Sequence, residues 1–440
     1  MLVAAASYAT VSQGAFYAYQ FRVLAGLVIL SLGLLAARRR PVTVGGHPMP
    51  PMLAGFAVVA VISGWSAGSL GRAAPTVALA ALSWVVFVVA RQAGPDEGEA
   101  LLTAVVAIGV LAAVTGTVGV AFRREPLALL DGGLWRAAST LTYANATAGF
   151  LLLPVFLALG RLVHGRRSVP WSVVAYVLLV GLLATLSRGG MVAFVAGMVV
   201  LAVASGLRRV VIGTWPVFAG AGVAVLGILP GLPDRLPARP GLAGAAVAAG
   251  AAVVVVAQRR GAATVAALLA AAAVAAGAGA GHGLGGDVTS TRLTSASPDR
   301  VDGWGAAIDV LTARPVLGAG PGNATYAYVD DEGASMTTRF VHNEYLQLLA
   351  ETGLAGTAAI VAGLALTLRR LATGSGRRTA TGAGALAGLA AFCVHSGLDF
   401  LWHVPALPLA AMLVVGITAD RGARSGSHPA VEAPDRLPAS

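Results

Sequence analysis

The chain has 440 residues, 57% of them hydrophobic and 11% charged, with a mean hydropathy of +0.79. Soluble domains carry about 25% charged residues, so a water-facing surface is excluded and the matching solvent is lipid. The formal charge of +11 would point to nucleic acid in a soluble protein. Here the arginines cluster between apolar runs, the pattern that sets membrane topology and meets anionic lipid, which argues against nucleic acid as a partner.

All 30 basic residues are arginine. The single cysteine, Cys393, lies inside an apolar run and rules out an intrachain disulfide framework and cysteine-rich metal sites. Residues 1–15 form a short apolar stub, too short for a secretory signal with a basic n-region; one reading is that a preceding helix is missing.

Apolar runs of membrane-spanning length then follow at about 17–36, 51–70, 73–90, 99–120, 141–160, 170–187, 190–206, 210–230, 241–257, 261–281, 354–369, 381–399 and 404–418. They predict an all-α polytopic membrane protein with about 12–13 transmembrane helices. The Ala/Gly/Val-rich stretch 241–281 reads as two closely packed helices; the alternative is a loop, which lipid exposure disfavours.

When spans alternate, Arg38–Arg40, Arg91, Arg161 with Arg166 and Arg167, Arg208–Arg209, Arg259–Arg260, Arg369–Arg370 with Arg377–Arg378, and Arg421–Arg424 fall on one side. The positive-inside rule makes that side cytoplasmic. The N-terminus, loop 121–140, Arg188, loop 231–240, segment 282–353 and the end of 395–403 then face outward. Residues 1–419 read as one transmembrane domain with a large external loop at about 282–353 containing short helices. The Pro-rich 420–440 reads as a disordered cytoplasmic tail.

The external loop carries the chemistry, and loops this long are often functional. Ser297-Pro298-Asp299 starts a helix that runs to Ala313, with Trp304, Ile308 and Leu311 at helical spacing, expected to lie on the bundle. Arg300 and Trp304 share a face. Gly318 to Asn323 is a tight turn; it resembles a phosphate loop, but no strand precedes it. A second helix starts near His342-Asn343-Glu344, with Glu344 and Glu351 opposite Leu346 and Leu349, until Gly353 breaks the pattern. His342, at its N-terminal edge, is a candidate proton acceptor.

Arg188, in Ser187-Arg188-Gly189-Gly190, sits at the outer boundary of two spans, where a charge is expensive and reads as functional, against snorkelling as the bland alternative. Arg136, in Leu134-Trp135-Arg136, precedes Tyr143-Ala144-Asn145, with interfacial anchoring as its alternative. Arginine forks bind diphosphate and stabilise its departure, and a histidine can take a hydroxyl proton, a combination that fits glycosyl transfer from a lipid diphosphate. His395, Asp399 and His403, at i, i+4 and i+8, could share a helical face. A metal site there is weighed against a polar, hydrogen-bonded bundle end, which is the preferred reading.

Leu141 to Ala146, Leu186 to Gly190, Arg300-Val301-Asp302-Gly303-Trp304, Pro315 to Gly322, His342 to Leu346 with Glu351-Thr352-Gly353, and His395 to Phe400 occur in that order around a late external loop. In this ordered set the chain resembles the O-antigen ligase and O-antigen polymerase superfamily, over about residues 50–418. The resemblance implies a GT-C-like fold in the bacterial inner membrane. It also implies an undecaprenyl-diphosphate-linked glycan donor, and neither a nucleotide sugar nor a metal or other cofactor. The family's boundary arginine falls on Arg188, its loop arginine on Arg300 and its loop histidine on His342, which makes these three the catalytic candidates. Arg136 corresponds more weakly, and with Asn145, Trp304, Asn343 and Glu344 it forms the candidate substrate-binding set. The acceptor would be a lipid-anchored glycan, a growing chain or a protein hydroxyl. The competing hypothesis is a small-solute transporter, against which stand the lack of an inverted repeat and of a mid-span charge.

Overall fold

The structure is a computed structural model and describes residues 1–38, 42, 44–165, 168–260, 298–329 and 335–419. The helices are α1 (Leu2–Val11), α2 (Ala18–Ala37), α3 (Met49–Ser66), α4 (Leu70–Arg91), α5 (Pro95–Phe122), α6 (Ala144–His164), α7 (Val169–Ala184), α8 (Arg188–Ser205), α9 (Leu207–Ile228), α10 (Pro240–Arg260), α11 (Pro298–Ala313), α12 (Glu344–Thr373), α13 (Ala380–Ser396) and α14 (Ala406–Thr418). Nine of the described helices are long and apolar enough to cross a membrane, and α1, α7, α13 and α14 are shorter apolar helices. The chain is thus an all-α polytopic membrane protein. Of the expected spans, 261–281 lies outside the described residues, as do 282–297 and 420–440.

Burial follows the solvent logic of lipid: Val195, Val199, Val203 and Leu226 face outward, because an apolar side chain gains little by leaving hydrocarbon. What holds such helices together is close packing. At the centre stands α6, buried over almost its whole length. Against it lies α13, and the two backbones meet at small residues: a methyl added at Gly160 would lie 2.3 Å from the Ala380 carbonyl oxygen.

The long helix α12 shows how polar backbone is managed inside such a bundle. Gly353 (φ +64°) breaks it, and the freed groups would be costly if left unpaired. The strap 315–320 pairs them. Leu354 N–H donates to the Pro315 carbonyl (2.8 Å) and Ala355 N–H to that of Val316 (3.2 Å), while Ala319 and Gly320 N–H donate to the carbonyls of Ala350 (2.8 Å) and Glu351 (3.0 Å). Ser63 Oγ on α3 adds hydrogen bonds to the Leu317 and Glu351 carbonyls. The Gly-rich turn is therefore a clamp across a helix break.

Three details depart from the sequence expectation. Two short antiparallel hairpins occur in the loops, β1 (Ala128–Asp131) with β2 (Leu134–Ala137), and β3 (Tyr326–Val329) with β4 (Ser335–Thr338). On α11 the inward residues are Gly303 and Ala307, flanked by half-buried Trp304 and Val310, and Ile308 is exposed. This helix packs on the loop's own cluster of Ala324, Tyr326, Val341 and Ala350, so the buried stripe is set by that satellite core. Finally, the polar face of the first turns of α12 is the inner one: Glu344, Gln347 and Glu351 are buried, and Leu346 and Leu349 only partly so.

Candidate active site

The loop end of the bundle gathers residues from four distant parts of the chain. Asp399 is 1% exposed, and a buried carboxylate is tolerated only when well supplied with donors. It accepts from Tyr143 Oη (2.9 Å), Phe400 N–H (2.8 Å) and Asn145 Nδ2, and His342 Nδ1 lies 3.1 Å from its Oδ1. This contact fixes the tautomer: Nδ1 carries the hydrogen toward Asp399, and Nε2 of a neutral ring keeps its lone pair. The His342 side chain is one-third exposed, while Asp399 is enclosed.

The network continues through Asn145, whose Oδ1 accepts from Arg136 Nη2 (2.7 Å). The Arg136 guanidinium is buried; it pairs with Asp131 and donates from Nε to the Thr185 carbonyl (3.0 Å). Hairpin β1–β2 delivers Arg136 opposite Leu129. Arg136 therefore ties the hairpin, the turn before α8 and the N-terminus of α6 to the His342–Asp399 pair, a positioning geometry. Arg188 opens α8, exposed, three residues beyond the carbonyl that Arg136 holds. Ser187 caps α8 by accepting from Gly190 N–H (3.1 Å). Arg300 lies on the first turn of α11, where only its backbone is described.

The segment carrying His342 is pinned on both sides. Trp304 Nε1 donates to the Val341 carbonyl (2.9 Å). Gln347 accepts from Val341 N–H (3.1 Å) and donates to the Arg339 carbonyl (3.0 Å) and to Glu351 Oε1 (2.7 Å). Asn343 caps α12, with Oδ1 accepting from Tyr345 and Leu346 N–H. His342, Thr142 and Leu186 all have positive φ (50°, 58° and 51°), a conformation non-glycine residues avoid and one that collects at functional sites.

The expected face of His395, Asp399 and His403 does not form, because α13 ends at Ser396 and Leu401–His403 is a separate 3₁₀ turn. His395 is buried against Gly149 and Gly189, Asp399 serves His342, and His403 Nδ1 lies 3.2 Å from Glu344 Oε1. Burial opposes charge on His403, but the Glu344 carboxylate and its hydrogen bond outweigh it and raise the imidazole to about 9. Glu344 also accepts from Trp402 N–H. This second acid–histidine pair faces a mostly apolar cleft of about 570 Å³ between α2, α3, α4 and α12. The cleft adjoins the His342 layer through Phe340, which stacks on Phe400 (4.6 Å) and meets His403 edge-on (4.9 Å).

Sequence reading missed Tyr143, Gln347 and the pairing of Asp399 with His342. The only signal was that Asp399 and Tyr143 lay inside ordered motifs. No curated protein matches the chain. Residues 236–361, from the loop before α10 to beyond the Gly353 break, match the family model described as O-antigen ligase. This stretch includes Arg300, Trp304, His342 and Glu344, while Arg136, Asn145, Arg188 and Asp399 lie outside it. Over these residues the chain is similar to the O-antigen ligase family, within a helical membrane bundle.

Proposed function

We propose that this protein is a membrane glycosyltransferase that transfers or polymerises an undecaprenyl-diphosphate-linked oligosaccharide onto an acceptor at the outer face of the bacterial cytoplasmic membrane. The observation that carries this reading is the contact of His342 Nδ1 with enclosed Asp399. It orients an imidazole whose Nε2 can take a proton.

In the reaction, an acceptor hydroxyl oxygen attacks the anomeric carbon of the donor. A new glycosidic C–O bond forms as the bond to the diphosphate oxygen breaks. His342 Nε2 receives the hydroxyl proton, and the lipid diphosphate leaves with the bonding electron pair. Arg188 and Arg300 are the proposed partners of that diphosphate, since guanidinium forks suit its geometry and its developing charge. Asp399 would stabilise the imidazolium, and Arg136, Asn145 and Tyr143 would hold Asp399. Trp304, Asn343 and Glu344 act as positioning residues in this scheme. The apolar cleft beside His403 suits part of the lipid carrier.

The test uses purified protein, a synthetic lipid-diphosphate oligosaccharide and candidate acceptors, with released lipid diphosphate as readout. Arg188→Ala, Arg300→Ala and His342→Ala are expected to lower turnover by about 100- to 1000-fold with folding intact. Wild-type rates in all three would sink the shared-site reading. Absence of donor turnover together with dissipation of a solute gradient in proteoliposomes would favour a transporter.

A further inference from the structure

The start of α2 is built into the apolar cleft beside His403. Three consecutive residues ahead of it, Gln13, Gly14 and Ala15, have positive φ (52°, 70° and 57°), a run that persists only where its surroundings hold it. A methyl added at Gly14 would lie 2.2 Å from Val404 Cγ1, and Ala15 is enclosed. Gln13 Oε1 accepts from Gln20 Nε2 (3.1 Å), and Gln20 Oε1 accepts from Tyr17 N–H (3.3 Å). The turn thus fixes Phe16, 41% exposed, on the lining of the cleft. Phe16 meets Phe340 (6.4 Å), Phe340 stacks on Phe400, and Phe400 meets His342 edge-on (5.0 Å). A row of rings therefore joins the cleft to the proposed base. The α4 wall of the cleft runs from Gly71 to Ser83, about 18 Å at the helical rise, and Gly71, Ala74 and Ala78 keep it open. Arg22 lines the α2 wall and is exposed; among the described residues it has no hydrogen bond or ion pair. The two carboxylates of the cleft are engaged, Glu344 by His403 and Trp402 N–H, and Glu351 by Gln347. Phe16, Tyr17 and Tyr19 are exposed in the manner of an interfacial aromatic belt, and Val23, Ile29 and Leu30 on α2 are exposed toward lipid.

We propose that this cleft seats the lipid anchor of the acceptor, with Arg22 pairing with the phosphate that links anchor to sugar and the sugar reaching His342 across Phe16 and Phe340. Such a site rests on the glycosyl-transfer reading above, and the carrier in the cleft is then the acceptor's own. The departing diphosphate is bonded to the carbon under attack and so lies beside His342. Arg22 stands beyond the rings of Phe400, Phe340 and Phe16 and more than a turn into α2. Arg188, the proposed diphosphate partner, opens α8, which packs on α6 and α13, and neither of these helices walls the cleft. Two amphiphiles thus approach His342 from different sides. An apolar chain suits the groove, a guanidinium fork at its wall suits a phosphate, and exposed rings suit the apolar face of a sugar.

The experiment measures binding to purified full-length His342→Ala protein in phosphatidylcholine nanodiscs, where no turnover intervenes. One probe is glucose joined to a farnesyl chain through a phosphodiester, and the other is the neutral farnesyl glucoside; neither is a diphosphate donor. The phosphodiester probe should bind about tenfold more tightly than the glucoside. Adding Arg22→Gln should erase that preference and leave glucoside binding within about twofold. Arg124→Gln, an exposed arginine outside the cleft, should leave the preference in place. Ala78→Trp fills the groove with Arg22 intact and should weaken both probes by about tenfold or more. Equal weakening of both probes by Arg22→Gln would mean a packing role, and displacement of the phosphodiester probe by an equal concentration of phosphatidylglycerol would mean a bulk lipid site; either overturns the proposal. In the transfer assay with active protein, Arg22→Gln should raise the KM of the phosphodiester acceptor about tenfold and leave that of the donor within about twofold. A rise in the donor KM instead would assign Arg22 to the donor and overturn the acceptor site. Donor turnover without the Arg22-dependent preference would sink the acceptor site and leave the reaction standing. The preference without donor turnover would sink the reaction, and the acceptor role with it, and leave an anionic-lipid site.

Discussion

At the residue scale the instructive pair is Asp399 and His342. A carboxylate 1% exposed with donors from Tyr143, Asn145 and Phe400 is already satisfied structurally, so its contact with His342 reads as orientation. Asp399→Asn should reduce turnover by about 100-fold, at the lower end of what a positioned base contributes. The loss should fall on kcat, with KM and the unfolding midpoint near wild type. A merely structural defect would lower the midpoint and the folded fraction instead. His403 offers a separate test through stability. Its pKa is raised from 6.5 to about 9 in the folded protein, burial being outweighed by Glu344. The folded form therefore binds the proton more tightly than the unfolded form. The stabilisation is complete below pH 6.5 and is lost as pH rises through about 9. Thermal unfolding in detergent should show a decline in Tm across that window, which His403→Gln removes. A decline of the same size in the variant would assign the effect to other groups.

At the element scale, the break in α12 joins fold to site, because the strap that satisfies it also sits against the loop cluster under His342. Gly353→Ala should be among the most damaging single-methyl changes: at φ +64° its Cβ would fall 2.3 Å from the Val316 carbonyl carbon. The backbone strain alone amounts to about 1–3 kcal/mol. Ser63→Ala removes one donor to the strap and should lower stability by about 1 kcal/mol. Comparing Tm of the two variants checks the order; equal effects would mean that the strap does not close the break. The long helices were legible in the sequence because about twenty apolar residues in a row leave a membrane chain no other structure. The start of α11 at Pro298 and the break at Gly353 were legible from turn chemistry. The end of α13 at Ser396 was not, since the apolar run continues beyond it and only Gly397 marks the stop. Nor was the inward polar face of α12: apolar periodicity assigns Leu346 and Leu349 to the interior, while the strap and cleft put Glu344 and Glu351 there. The dyad itself joins residues 57 positions apart, a separation no spacing rule reads.

At the scale of the whole molecule, polar chemistry is divided between two ends. Successive helices run in opposite directions, so Arg91, which holds Val44 and Gly45, shares an end with Arg370 on Gly46 and with Arg161, paired with Glu99 and lying 4.4 Å over the Trp171 ring. Arg72, at the other end of α4, donates instead to Asn323 in the loop (2.8 Å), and Arg136, Arg188 and His342 lie on that side. The arginines of the first group sit in the last turns of α4, α6 and α12, beside short loops, the placement that holds a loop in the cytoplasm. This orientation fits the proposed reaction, in which donor and acceptor meet outside. It is tested with Cys393→Ala as background and single cysteines at exposed positions, Met336→Cys on β4 and Thr373→Cys at the end of α12. In intact cells a membrane-impermeant maleimide should label Met336→Cys and spare Thr373→Cys until the membrane is opened. The reverse pattern would put His342 in the cytoplasm. There a lipid-linked glycan acceptor of the outer face is out of reach, and both the orientation and the proposed reaction would fall together.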